Sequence, residues 1–156
     1  MIENYLNIMN ESLQKKSALL DKIAENCEKQ EALLKQEKLS FPEFDALMTE
    51  KDRQAAELSK LDDGFESLYE KVREQLQGGK EQYRNQILSM QALIQKITEK
   101  SNHIQTMEER NKQGMEMHLR KERGKLQHNR QASAAAYNYY KSTNGGERYS
   151  ILDKKN

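Results

Sequence analysis

The chain has 156 residues, of which 35% are hydrophobic and 33% charged, with no Trp, one Pro and a formal net charge of +1. That length allows one domain or two very small ones, and so little apolar mass excludes a round globule while suiting an elongated bundle whose helices each bury one narrow stripe. The lone Cys27 excludes a disulfide framework, no run of about eighteen apolar residues offers a membrane span, and residues 1–20 lack a basic start followed by an unbroken apolar stretch, so a soluble cytoplasmic protein is expected.

The near-zero net charge conceals two unlike halves. Residues 1–78 hold 17 Asp or Glu against 11 Lys or Arg, and residues 79–156 hold 8 against 15. Either an acidic helical hairpin packs beside a basic third helix, or a basic surface is kept for an outside partner.

The first helix is predicted over residues 2–38. Its seam runs Leu6, Met9, Leu13, Lys16, Leu20, Ile23, Cys27, Gln30 and Leu34 at three-and-four spacing, with Lys16 and Gln30 as polar interruptions of the kind that fix register at a cost in stability. Cys27 on that seam reads as a small buried hydrophobe. Ser40, Pro42 and Glu43 then announce a helix start: Ser40 can accept from the amide of Glu43, the Glu43 carboxylate can reach back, and Pro42 falls where its missing N–H costs nothing. Leu39 before the cap and Phe44 after it make a hydrophobic staple.

The second helix is predicted over residues 42–76, with the stripe Phe44, Leu47, Lys51, Ala55, Leu58, Leu61, Phe65, Leu68, Val72 and Leu76, and with Gly64 inside it. Gly78 and Gly79 stop that helix by offering the left-handed conformation that helix ends use, and the chain reverses. The third helix, residues 80–130, has the most regular seam: Tyr83, Ile87, Met90, Ile94, Ile97, Ser101 and Ile104.

Beyond Ile104 the stripe decays, because Met107, Met115, Met117 and Leu119 spread around the helix among many charges. At 1.5 Å per residue a helix from Lys80 to Arg130 would outrun the first two by roughly 20 Å, so its end is expected to project beyond the bundle. The last segment, residues 131–156, changes composition: Ala132, Ala134, Ala135 and Ala136 precede Tyr137, Tyr139 and Tyr140, and Gly145-Gly146 makes a flexible break before the C-terminus. Such a flexible, conditionally helical tail either orders on contact with a partner or is a frayed terminus. The fold class is therefore all-α: an elongated antiparallel three-helix bundle or coiled coil over residues 1–130 with a C-terminal tail.

The residues offer no chemistry of the enzymatic kind, and no cofactor is expected. His103, His118 and His128 lie too far apart for a helical metal pair and read as solvated, so no metal site is expected. Gly78-Gly79-Lys80 lacks the strand before it and the Ser or Thr after it that a phosphate loop needs, and no nucleophile has a base and orienting acid in a recognisable pattern. The basic stretch Arg120, Lys121, Arg123, Lys125 and Arg130 resembles a phosphate-binding helix, but the near-neutral chain with its acidic half next door argues against nucleic acid. Membrane insertion is not expected either, since this stretch lacks bulky apolar residues on one face.

A helix with Leu20, Ile23 and Leu34, the run Glu31-Ala32-Leu33-Leu34, a short break, Phe44 to Lys51, a second helix with Leu58 and Leu61, a third ending in a basic stretch, the Ala/Tyr segment 132–140 and the closing Ile151 to Lys155 together resemble the FlgN-type flagellar export chaperones. The filament-cap chaperones of the FliT-like type share this helical style. The resemblance implies a cytoplasmic chaperone of flagellar type III export that holds late subunits, the hook-associated (hook–filament junction) proteins, unpolymerised and delivers them to the export apparatus. It also implies client contact through the C-terminal region, which here means Met115, Leu119, Ala132, Ala135, Ala136, Tyr137, Tyr139 and Tyr140. Methionine adapts to varied partners and tyrosine gives rigid contact area. Gly145-Gly146 and Ser101 depart from the family pattern. The other reading is a structural coiled-coil spacer or self-assembling bundle with no client. The chaperone reading predicts a monomer or dimer whose tail serves binding, and the spacer reading a stable oligomer whose tail is dispensable.

Overall fold

The computed structural model describes residues 2–125, which form three helices: α1 (Ile2–Leu34), α2 (Phe41–Gln75) and α3 (Arg84–Lys125). Ser12 pairs with Leu61 and Asn26 with Leu47, so α2 runs antiparallel to α1. Ser17 meets Lys100 and Leu34 meets His118, a nearly constant offset that makes α3 parallel to α1. The architecture is an antiparallel three-helix bundle, all-α as the periodicity predicts, with α1 packed against both other helices.

The α1 seam is as predicted. Leu6, Met9, Leu13, Lys16, Leu20, Ile23, Cys27 and Gln30 are all buried, joined by Leu19 and Asn26, and only Leu34 is half-buried. The helix ends at Leu34 instead of residue 38, because the chain must turn to bring Leu39 inward: the Lys35 and Gln36 amides bond back to Glu31 and Leu33, and Leu39 is buried. Leu39 and Phe44 belong to one apolar cluster, so the staple forms. The capping box does not. Ser40 is the N-cap in extended backbone with Pro42 in the first turn, but its side chain makes no capping bond, and the Phe44 amide bonds to the Ser40 carbonyl instead.

The buried stripe of α2 differs from the predicted one. Phe41, Phe44, Met48, Lys51, Gln54, Leu58, Asp62 and Val72 are buried, while Leu47, Ala55, Leu61, Phe65 and Leu68 are half-buried. Between α2 and α3 the chain makes two short 3-10 turns, Leu76–Gly78 and Lys80–Tyr83. Gly79 between them has φ −141° and ψ 32°, so the reversal at this glycine uses no left-handed conformation and α3 starts at Arg84.

The predicted decay of the α3 seam is also corrected. Ser101, Ile104, Met107, Glu108, Asn111, Met115 and Leu119 are buried, so the three-and-four spacing continues unbroken through polar letters. The expected overhang of about 20 Å does not begin where the apolar letters thin out, and residues 126–130, over which it would run, lie outside the described residues. The end of α1, the 35–40 turn and the start of α2 cover α3 as far as Leu119, and Lys121 Nζ still donates to the Glu37 carbonyl at 3.4 Å. Residues 126–156, including the last turn of the predicted third helix and the tail, lie outside the described residues.

Candidate functional site

Two features interrupt the apolar core: a polar layer midway along the bundle, and a groove toward the end where α1 begins.

The polar layer joins all three helices. Lys51 of α2, 1% exposed, is hydrogen-bonded to Gln30 Oε1 of α1 and ion-paired with Glu108 of α3. Cys27 Sγ donates to Glu108 Oε1 at 2.8 Å, Asn111 Nδ2 to the Cys27 carbonyl at 3.0 Å, and Asn26 Nδ2 to the Leu47 carbonyl at 2.9 Å. A buried ion pair adds little net stability over a well-packed apolar pair, yet losing one partner strands a charge. Its physical consequence is therefore register, since sliding α2 or α3 by one turn would separate Lys51 from Glu108, and sliding α1 would take Gln30 and Cys27 away from them. Burial pushes the Cys27 thiol well above its ordinary range, with Glu108 adding to the shift and Lys51 opposing it, so Cys27 stays a neutral donor in this layer.

Beyond the layer, toward the end of α3, the bundle is closed. Phe44 and Met115 are fully buried, with Leu39, Phe41, Met48 and Leu119 packed around them. His118 Nε2 lies 2.7 Å from the Leu34 carbonyl, one of the α1 carbonyls left over where the helix stops, so His118 is a structural partner and not a solvated side chain. Gly114 faces Leu34 at this approach. A Cβ built there would lie 3.2 Å from Leu34 Cδ1, closer than nearly all real contacts.

The opposite half is not closed. A groove of about 270 Å³ opens between the later part of α2 and the earlier part of α3, with Leu61, Phe65 and Tyr69 on one wall and Ile94 and Ile97 on the other. Ser12, Leu13 and Lys16 of α1 and the acidic Asp62 and Glu66 of α2 complete it. Phe65 and Tyr69 stack with ring centroids 6.4 Å apart, and Tyr69 is 46% exposed. Within these apolar walls lies an ion pair, Lys16 Nζ to Asp62 Oδ1 at 2.8 Å, both residues 5% exposed. Among the described residues none is hydrogen-bonded to Asp62 Oδ2.

The eight candidate contact residues divide accordingly. Met115 and Leu119 are core residues of the closed end, 0% and 7% exposed, and they are not on a free projecting surface. Ala132, Ala135, Ala136, Tyr137, Tyr139 and Tyr140 lie outside the described residues. Met117 is the exposed methionine of this stretch, at 68%. The apolar spacing alone does not announce the groove. Its one signal in the sequence is that Asp62 stands on the strict three-and-four register after Leu58, where an apolar residue would close the bundle.

Charge is shared between α1 and α3 as the acidic-hairpin reading expects. Lys100 meets Asp21 at 2.9 Å and Ser17 at 2.8 Å, and Arg110 meets Glu31 at 3.3 Å. These pairs are exposed and worth little individually. Among the described residues no helix is long and apolar enough to cross a membrane, and no group of three His, Cys, Asp or Glu side chains is placed to hold a metal ion. The chain matches no family model, no curated protein and no solved structure.

Proposed function

We propose that this bundle is a client-binding protein, a cytoplasmic flagellar export chaperone of the FlgN-like type that keeps a late subunit from assembling and hands it to the export apparatus. The observation that carries the reading is the open half of the bundle. A spacer with no client gains by closing its apolar stripe along its whole length, whereas here Leu61, Phe65 and Ile94 remain half-buried around a groove. A groove between two helices is a natural seat for an amphipathic helix, which would make a local four-helix arrangement. The resemblance adds the Ala/Tyr segment at 132–140 as a second grip. Ile97 and Lys125 are separated by about 42 Å of helix, a span that a long subunit helix could bridge.

The test uses purified hook–filament junction proteins mixed with full-length protein, with protein lacking residues 131–156, and with a Phe65→Ala variant, each run through size-exclusion chromatography. The expected result is a stable complex with the full chain, weakened by either change while helical circular dichroism is unchanged. No complex with the full chain would defeat the export reading. Equal complexes with all three would leave both the groove and the tail without a part in client binding.

A further inference from the structure

The two buried ion pairs of the bundle stand differently toward α3. In the middle layer α3 itself supplies the anion, Glu108, to Lys51 of α2, so drawing α3 against α2 makes the contact. In the groove both ions come from the other two helices, Lys16 from α1 and Asp62 from α2, and the α3 side chains that line it, Ile94 and Ile97, offer neither donor nor acceptor. A closer approach of α3 would press those isoleucines onto the salt bridge, strip what contact with water its charges keep, and return no hydrogen bond. What the approach could gain is the covering of Leu61, Phe65 and Ile94, which are half-buried as they stand. Desolvating a charge outweighs covering a few partly buried apolar side chains, so the two helices stop short of each other.

We propose that Lys16 and Asp62 act as a spacer: the pair holds α2 off α3 and keeps the groove open, at a cost in stability. The proposal rests on the client-binding reading for its purpose and names the residues that maintain the seat. A bundle shaped by stability alone would have apolar residues at both positions, since well-packed hydrophobic side chains of similar volume usually do as well as a buried ion pair or better. Lys16 lies on the buried seam of α1, and Asp62 follows Leu58 on the buried register of α2, where a leucine would meet the α3 isoleucines and shut the bundle. Sites that must receive a partner commonly retain groups of this destabilising kind. Both are positioning residues, because they set the width of the groove whether or not they touch what enters it.

The test measures the width of the groove. Spin labels at Asp63→Cys on α2 and Gln91→Cys on α3, both exposed positions, report the separation of the two helices in the full chain by double electron–electron resonance, while the fully buried Cys27 stays unlabelled. Replacing the pair together, Lys16→Met with Asp62→Leu, is expected to shorten the label distance as the helix axes move toward the about 8–10 Å of direct packing. It is also expected to raise the urea midpoint and to weaken capture of purified junction proteins about tenfold. A pair that only supported the fold would do the opposite, lowering the midpoint at unchanged width. The matching replacement in the middle layer, Lys51→Met with Glu108→Leu, is expected to leave the label distance as it is. An unchanged distance in the Lys16 and Asp62 variant overturns the proposal, and so does loss of its fold, since the pair would then be a support. A shorter distance in both variants overturns it too, because the width would then follow overall packing. Closure with full capture of junction proteins keeps this inference and takes the groove out of client binding, whereas an unchanged distance with capture lost removes this inference alone.

Discussion

Phe44 and Met115 at one end of the bundle are fully buried, whereas Phe65 and Ile94 of the same two helices at the other end are only half-buried. Composition does not separate the ends, since both present an aromatic from α2 and an aliphatic from α3. Two local features do. At the closed end the 35–40 turn folds Leu39 under the bundle, and Lys51 with Glu108 ties α2 directly to α3. At the open end the corresponding polar pair, Lys16 with Asp62, ties α2 to α1 and leaves α3 unattached to it. Where a polar layer joins three helices the core closes, and where it joins two a groove remains.

The contrast breaks most sharply at the three-helix layer. Glu108→Leu strands the Lys51 ammonium in the core and is expected to cost about 3–5 kcal/mol, read from urea denaturation, while the double change Lys51→Met with Glu108→Leu recovers most of it. A small loss in the single variant would mean that Lys51 finds water and that the layer does not set register. Met115→Ala comes next. As a core residue of the closed end it is expected to lower stability by about 2–4 kcal/mol, measured in the same way. Unchanged stability would return Met115 to the role of a free contact residue.

The sequence discloses α1 well and the other two helices less well, for one physical reason. On α1 the spacing carries the seam across Lys16 and Gln30, and both are buried. On α2 the apolar letters Leu47 and Leu61 draw the stripe aside, whereas the buried register passes through Met48 and Asp62. On α3 the regular apolar letters stop at Ile104 because Glu108 and Asn111 are polar, although each falls on the next step of the same alternation. A charged side chain on a seam is paired by a residue far away in the chain, so its burial is invisible until the partner is known: Lys16 needs Asp62, and Lys51 needs Gln30 and Glu108. The groove is hidden in the sequence for that reason.

Cys27 offers a milder probe of the layer. Burial holds its thiol above the ordinary value of 9.0, so the folded protein keeps a proton that the unfolded chain releases. This contribution is fully present below about pH 9 and is lost as pH rises, with stability falling by about 1.4 kcal/mol per pH unit. Urea midpoints measured from about pH 8.5 to 10.5 for the native protein and for Cys27→Ala isolate the thiol, because the lysine contribution is common to both. The native protein is expected to decline more steeply. Parallel curves would show that Cys27 reaches solvent and that the layer is looser than its geometry.

The smallest effect on stability is expected at the open end and is the one that bears on function. Phe65→Ala removes a ring that is already half-exposed, so it should cost about 1 kcal/mol, well below the roughly 3–5 kcal/mol typical of a buried phenylalanine. If the groove is a binding surface, the same change weakens client capture about tenfold, because the ring is then buried by the partner and not by the protein itself. A loss of several kcal/mol in thermal or urea unfolding would make Phe65 a core residue like Phe44 and would erase the distinction between the two ends on which the functional reading stands.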